Sequence, residues 1–182
     1  MTGMQLQLFE GIGHPPRPKI YDGDVLEATL DSIMPAVKRW SDKNSSSFDD
    51  ADDTREQLRY AIEFEDDSRR ILNYLEDHHC WSVDRDLQEI MDDVADERYA
   101  ALTNLVNRWV LQNGISPKYS VGQRVSLSVK NETHEGVIVR IDESVAKYLV
   151  RCEDLGHVVT GIGTHGVLAP FEDVSAQASS SV

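Results

Sequence analysis

Most of the groups that could do chemistry in this 182-residue chain are carboxylates: 32 Asp and Glu face 18 Lys and Arg, for a formal charge of −14. They are clustered. Glu89, Asp92, Asp93, Asp96 and Glu97 fall at i, i+3, i+4, i+7 and i+8, the spacing of one ridge on a helix. Asp49, Asp50, Asp52 and Asp53 form a second group, and Glu63, Glu65, Asp66 and Asp67 a third. Two chemistries could use such arrays. Uncompensated carboxylates attract a cationic surface. Alternatively, pairs three residues apart on two packed helices, Glu63 with Asp66 and Glu89 with Asp92, could chelate a hard cation such as magnesium and position a nucleotide phosphate. His78, His79 and Cys80 suit a metal less well, because neighbouring helical residues point in different directions and no CxxC or HxxxH partner accompanies them.

Helices must carry most of these groups. Val25, Leu26, Leu30, Ile33, Met34, Val37 and Trp40 recur at helical spacing after an aspartate cap at Asp22 or Asp24, and Pro35 predicts a kink or two consecutive helices. A Ser-rich polar loop is expected over residues 41–53, then helices at about 53–64 and 67–78. The run from Asp84 to Val110 reads as one helix, buried along Leu87, Ile90, Met91, Val94, Leu102, Leu105, Val106 and Trp109 and stopped by Asn113-Gly114. Like charges along its acidic ridge repel, so tertiary packing must stabilise it. A helical bundle follows.

From Tyr119 the period changes to alternation, with strands at 121–129, 136–141, 147–152 and a closing segment at 167–174. Val121-Gly122-Gln123-Arg124-Val125, the Gly136 to Ile141 segment, Tyr148-Leu149-Val150 and Pro170-Phe171-Glu172-Asp173 resemble the small SH3-like barrels of the KOW or Tudor type. That resemblance spans about residues 119–174 and implies a fold more than a function. The segment lacks a basic stripe, and Tyr148 and Phe171 read as core residues. The expected architecture is therefore α+β, an acidic helical bundle followed by a small SH3-like β-barrel. Its divisions are a flexible arm at 1–20, an acidic helical domain at 21–115, the barrel at 116–175 and a disordered tail at 176–182.

The arm is rich in Gly and Pro and contains Gln5-Leu6-Gln7-Leu8-Phe9. These residues resemble the linear motif by which bacterial replication and repair proteins dock on the β sliding clamp, with Gln7 standing where serine or aspartate is more usual. The resemblance implies that Gln5 bonds at the rim of a groove while Leu6, Leu8 and Phe9 supply apolar anchors.

Charge is divided unevenly: residues 1–116 hold 12 Lys and Arg against 24 Asp and Glu, and the remainder 6 against 8. Such a field repels nucleic acid, so backbone binding to DNA or RNA is not expected, whereas basic protein surfaces are attracted. No apolar run approaches the ~18 to 20 residues of a membrane span, and no signal peptide opens the chain, which predicts a cytoplasmic protein. Cys80 and Cys152 lie far apart and are expected to be free thiols.

Small size, acidity and a compact bundle with an appended barrel resemble phage-encoded inhibitors of the anti-restriction and anti-CRISPR type, some of which mimic DNA. That implies a non-enzymatic interaction protein without cofactor, acting in the bacterial host cytoplasm on a basic, nucleic-acid-binding site of a DNA-processing or defence complex. Two alternatives are a magnesium-dependent, all-helical nucleotide pyrophosphohydrolase built on Glu63, Asp66, Glu89 and Asp92, and a structural or virion-associated docking module.

Overall fold

The computed structural model of the chain describes residues 15–44, 51–63, 65, 67–129, 132–155 and 166–177, Ala51 and Asp52 by their backbone alone. Five helices precede five strands: α1 (Gly23–Asn44), α2 (Ala51–Glu63), α3 (Ser68–His79), α4 (Arg85–Asp92), α5 (Val94–Asn113), β1 (Arg124–Val129), β2 (Glu132–Asp142), β3 (Lys147–Cys152), β4 (Val167–Pro170) and β5 (Val174–Ala176). The fold is α+β, a helical first half followed by a curled antiparallel sheet.

Helix α1 runs unbroken through Pro35, so the two-helix alternative does not hold, and it continues past residue 41 into the segment expected as loop. An interior proline costs about 3 kcal/mol. Buried side chains on both sides of it, including Leu30, Ile33, Val37 and Trp40, stabilise by roughly 1.5 to 3 kcal/mol each and decide the outcome. Thr29, fully buried, returns its hydroxyl to the Val25 carbonyl at 2.7 Å. The ends of the other helices are set locally. Asp67 caps α3 by accepting from the Arg70 amide at 3.1 Å, and Cys80 closes it in the left-handed region, φ 56°, with Trp81 N–H reaching back to Leu75.

The 84–110 run is two helices, not one. Asp93 separates α4 from α5, and the break divides the expected ridge. The physical reason lies in the charges: a new helix start after Asp93 puts Asp96 and Glu97 in a first turn, where the helix dipole favours carboxylates by about 0.3 to 1 kcal/mol each. The apolar stripe divides as well. Leu87, Met91 and Val94 join the core made by α1, α2 and α3, whereas Val106, Trp109 and Val110 join the core of the sheet.

In the sheet the strand order is β4-β3-β2-β1-β5, antiparallel throughout, with a bulge between Ile138 and Arg140. Its inner face buries Val125, Leu127, Ile138, Tyr148, Val150 and Cys152, and Phe171 of a single 3₁₀ turn lies 4.3 Å from Tyr148, ring to ring. Ala176, expected in the disordered tail, pairs with Val125. The end of the expected flexible arm is also anchored where it is described. Trp109 donates its indole N–H to the Pro15 carbonyl at 2.9 Å. Arg17 donates to the carbonyls of Val145 and Ala146 and lies over the Trp109 ring. Ala146 holds φ 47°, and its carbonyl also accepts from Phe171 N–H, so the unfavourable turn is fixed from two sides. Among the described residues no helix is long and apolar enough to cross a membrane, and both cysteines are free thiols.

Gly136 of β2 pairs with Cys152 of β3 with no room for a side chain. An added Cβ would come within 2.6 Å of Val150 Cγ1 and 2.7 Å of the Arg151 carbonyl. Gly136→Ala is therefore expected to destabilise the chain by about 1 to 3 kcal/mol, measured as a lowered urea midpoint with unchanged slope.

Candidate functional site

Three helices build an acidic channel along one side of the bundle. Its first part, a cleft of about 400 Å³, lies between α1 and the α4–α5 pair. Ile33, Ala36, Trp40 and Ile90 line it together with four carboxylates, Asp86, Glu89, Asp93 and Glu97, and two cations, Arg39 and Lys43. The second part, about 490 Å³, lies between α1 and α5 and carries Asp24, Glu27 and Asp31 opposite Ala100, Ala101 and Arg108. Ser32 and Glu97 line both parts, and the Ser32 hydroxyl donates to the Glu97 carboxylate at their junction.

The channel is not uniformly unpaired. Lys43 meets Asp86, and this hydrogen bond and charge raise the lysine's pKa. Arg55 reaches Glu27 and Asp31, each at 2.8 Å, and Arg59 reaches Glu27 at 3.0 Å. The hydrogen bond to Glu27 heads the causes that push the Arg55 pKa up. Arg85 holds Glu89 at 3.0 Å. Asp24, Asp93 and Glu97 have no ion-pair partner among the described residues, and neither have Arg39 and Arg108, which line the same clefts.

The position of α4 beside α1 depends on Asp84. Its carboxylate accepts from Leu87 N–H as the α4 cap, and it also takes the Trp40 indole N–H at 2.9 Å and the Asn44 amide at 3.2 Å. The backbone bond from Leu87, followed by the Trp40 bond and the Lys43 charge, holds this carboxyl below the usual aspartate range despite some desolvation. Trp40 in turn stacks on Trp81 with centroids 5.9 Å apart, and Trp81 N–H reaches Gln57 at 2.7 Å. Arg98, 3% exposed, donates to the Ile62 carbonyl at the end of α2 and ties α5 there.

Of the expected acidic residues, Glu89, Asp93 and Glu97 share this channel. Asp92 and Asp96 are exposed and do not line it. Asp53 accepts from Gln57, Glu65 pairs with Arg70 at 3.4 Å, Asp67 caps α3, and Glu63 is half-buried at the end of α2. These four do not line the channel, and local capping and pairing occupy most of them. Asp49, Asp50, Asp66 and the side chain of Asp52 lie outside the described residues, as do Gln5, Leu6, Leu8 and Phe9. Among the described residues no three His, Cys, Asp or Glu side chains gather closely enough to hold a metal; Asp66, one of the four residues of the magnesium array considered above, lies outside them. His78 and His79 instead pack against Tyr74, at 4.5 and 5.6 Å.

Sequence reasoning missed Asp24, Glu27, Asp31 and Asp86 as channel residues. The spacing of the first three, i, i+3 and i+7 on α1, was the available signal.

No known relative decides what this channel does. No family model matches the chain, and no curated protein and no solved structure matches it significantly.

Asp84→Ala is expected to cost about 2 kcal/mol at pH 7, from the lost cap and the lost hydrogen bond from the Trp40 indole. Because the folded carboxyl titrates below its unfolded value of ~3.9, its contribution is present above that value and is lost as pH falls through the folded pKa. The stability difference between wild type and variant should narrow below about pH 4, as read by denaturant titrations at pH 7 and pH 3.

Proposed function

We propose that this chain is a non-enzymatic interaction protein whose acidic channel takes a basic, nucleic-acid-binding segment of a bacterial DNA-processing or defence complex. In this reading it acts in the host cytoplasm as a phage-type inhibitor of the anti-restriction or anti-CRISPR kind. The observation that supports it is the continuity of the channel: two adjoining clefts, lined by seven carboxylates from α1, α4 and α5, meet at Ser32 and Glu97. A cationic side chain entering there meets seven carboxylates against three lining cations, Arg39, Lys43 and Arg108, beside the apolar Ile33, Trp40 and Ile90, a combination that suits the long stems and charged heads of Lys and Arg.

The curled sheet is proposed to be an SH3-like barrel of the KOW or Tudor type. Its strand order, antiparallel pairing and the 3₁₀ turn between β4 and β5 support that assignment. The Gln5 to Phe9 motif is proposed as a separate, sliding-clamp contact.

Asp93→Asn with Glu97→Gln removes two charges from the channel, and Glu76→Gln with Asp77→Asn removes two from exposed positions of α3. In affinity capture from bacterial lysate at low salt, the wild type is expected to retain a nucleic-acid enzyme. The channel variant should bind the retained partner about ten-fold more weakly, about 1.4 kcal/mol, and the α3 variant should bind as wild type does. Equal weakening by both would reduce the channel to bulk charge, and recovery of no nucleic-acid enzyme would overturn the reading. Leu8→Ala with Phe9→Ala is expected to leave channel binding unchanged.

A further inference from the structure

On the outer face of the sheet two rows of opposite charge lie side by side. In the first, cross-strand pairing aligns Arg124 of β1, Val137 of β2 and Arg151 of β3. In the second, Ser126 is paired with Glu135, and Glu153, two residues beyond Arg151, extends the row on the same side. Arg124, Glu135, Val137, Arg151 and Glu153 line one shallow groove of about 370 Å³. The four charged residues are exposed, and neither arginine is ion-paired with a described residue. Glu135 is steadied by Gln177, whose amide reaches it at 2.7 Å. Asp154, at the end of the groove, is already held by His134 at 2.8 Å.

We propose that this face docks a second copy of the chain. Successive rows on one face of a sheet stand about 7 Å apart. A two-fold axis lying between them, parallel to the rows, sets the arginine row of each copy over the glutamate row of the other. Arg151 then meets Glu153 of the second copy, and Arg124 approaches its Glu135. The operation repeats both contacts, as an isologous interface requires. Half-buried Val137 lies at the centre.

The pattern favours a second copy over other partners. An anion drawn to the arginines would meet two glutamates one row away, and a cation drawn to the glutamates would meet two arginines. Only a surface with the same alternation satisfies both rows. The net charge of −14 does not forbid the contact, because most of it belongs to residues 1–116 and salt screens it over about 8 Å at physiological ionic strength.

Sedimentation equilibrium of the full chain at about 0.15 M salt tests this. The apparent mass of the wild type should rise from 20.5 kDa toward twice that value as the concentration approaches about 0.5 mM, the range of a small, transient interface. Arg124→Glu with Arg151→Glu, and separately Glu135→Arg with Glu153→Arg, should each remain at the single-chain mass. An equimolar mixture of the two variants should recover the doubled mass, since each now supplies the row the other lacks. A wild type that stays at 20.5 kDa, a row variant that associates as wild type does, or a mixture that stays monomeric would each overturn the proposal. Should a double variant unfold by circular dichroism, Arg151→Gln and Glu153→Gln singly serve in its place, each expected to weaken association about ten-fold.

Discussion

Helix α5 has to satisfy two cores, and the rest of the molecule is arranged around that requirement. Val94, at its start, packs with Leu87 and Met91 among the helices, while Val106, Trp109 and Val110, three turns on, fill the concave side of the sheet. Each such side chain contributes roughly 1.5 to 3 kcal/mol on burial, so the second set alone accounts for several kcal/mol that neither half could supply by itself. A chain ending at residue 115 would leave Trp109 and its neighbours facing water. Arg98, near the other end of the same helix, ties it to the Ile62 carbonyl of α2 and so fixes its height against the bundle.

The acidic channel is a product of that arrangement. Because α5 leaves α4 at Asp93 instead of continuing one long helix, both helices can flank α1, and their carboxylates face its Asp24, Glu27 and Asp31 across clefts instead of pointing freely into solvent. The basic residues of α1 and α2 then act selectively. Lys43 and Arg55 compensate charge at the flanks, whereas Asp24, Asp93 and Glu97 remain without ion-pair partners among the described residues. Seven carboxylates and three cations, Arg39, Lys43 and Arg108, thereby line one side of an already acidic protein.

How much of this was legible depends on what local pattern can encode. Periodicity identified α1, α2, α3 and the strands, since their apolar spacing has one reading, and Asp67 and Gly114 marked helix ends by chemistry that acts within a few residues. The break at Asp93 was not legible, because the residues on either side keep helical spacing and Leu87, Met91 and Val94 face one core; the change to the core of the sheet comes later, within α5. Pro35 misled in the opposite direction: its local cost is real but smaller than the burial it interrupts. Of the site, Glu89, Asp93 and Glu97 were readable from the 3–4 spacing. Their meeting with Asp24 and Asp31 was not, because residues some sixty positions apart are neighbours only through the α1–α5 contact. The alternating charge rows of the sheet were likewise hidden until register set Arg124 beside Val137 and Arg151.

The three tryptophans divide along the same boundary. Trp40 and Trp81 stack in the helical core, each donating its N–H to a side chain, while Trp109 lies at the junction of α5 and the sheet with the Arg17 guanidinium over its ring and its N–H on the Pro15 carbonyl. Optically the chain therefore carries two unlike chromophores: a coupled indole pair that senses the bundle, and a single indole, with a cation against its face, that senses the seam.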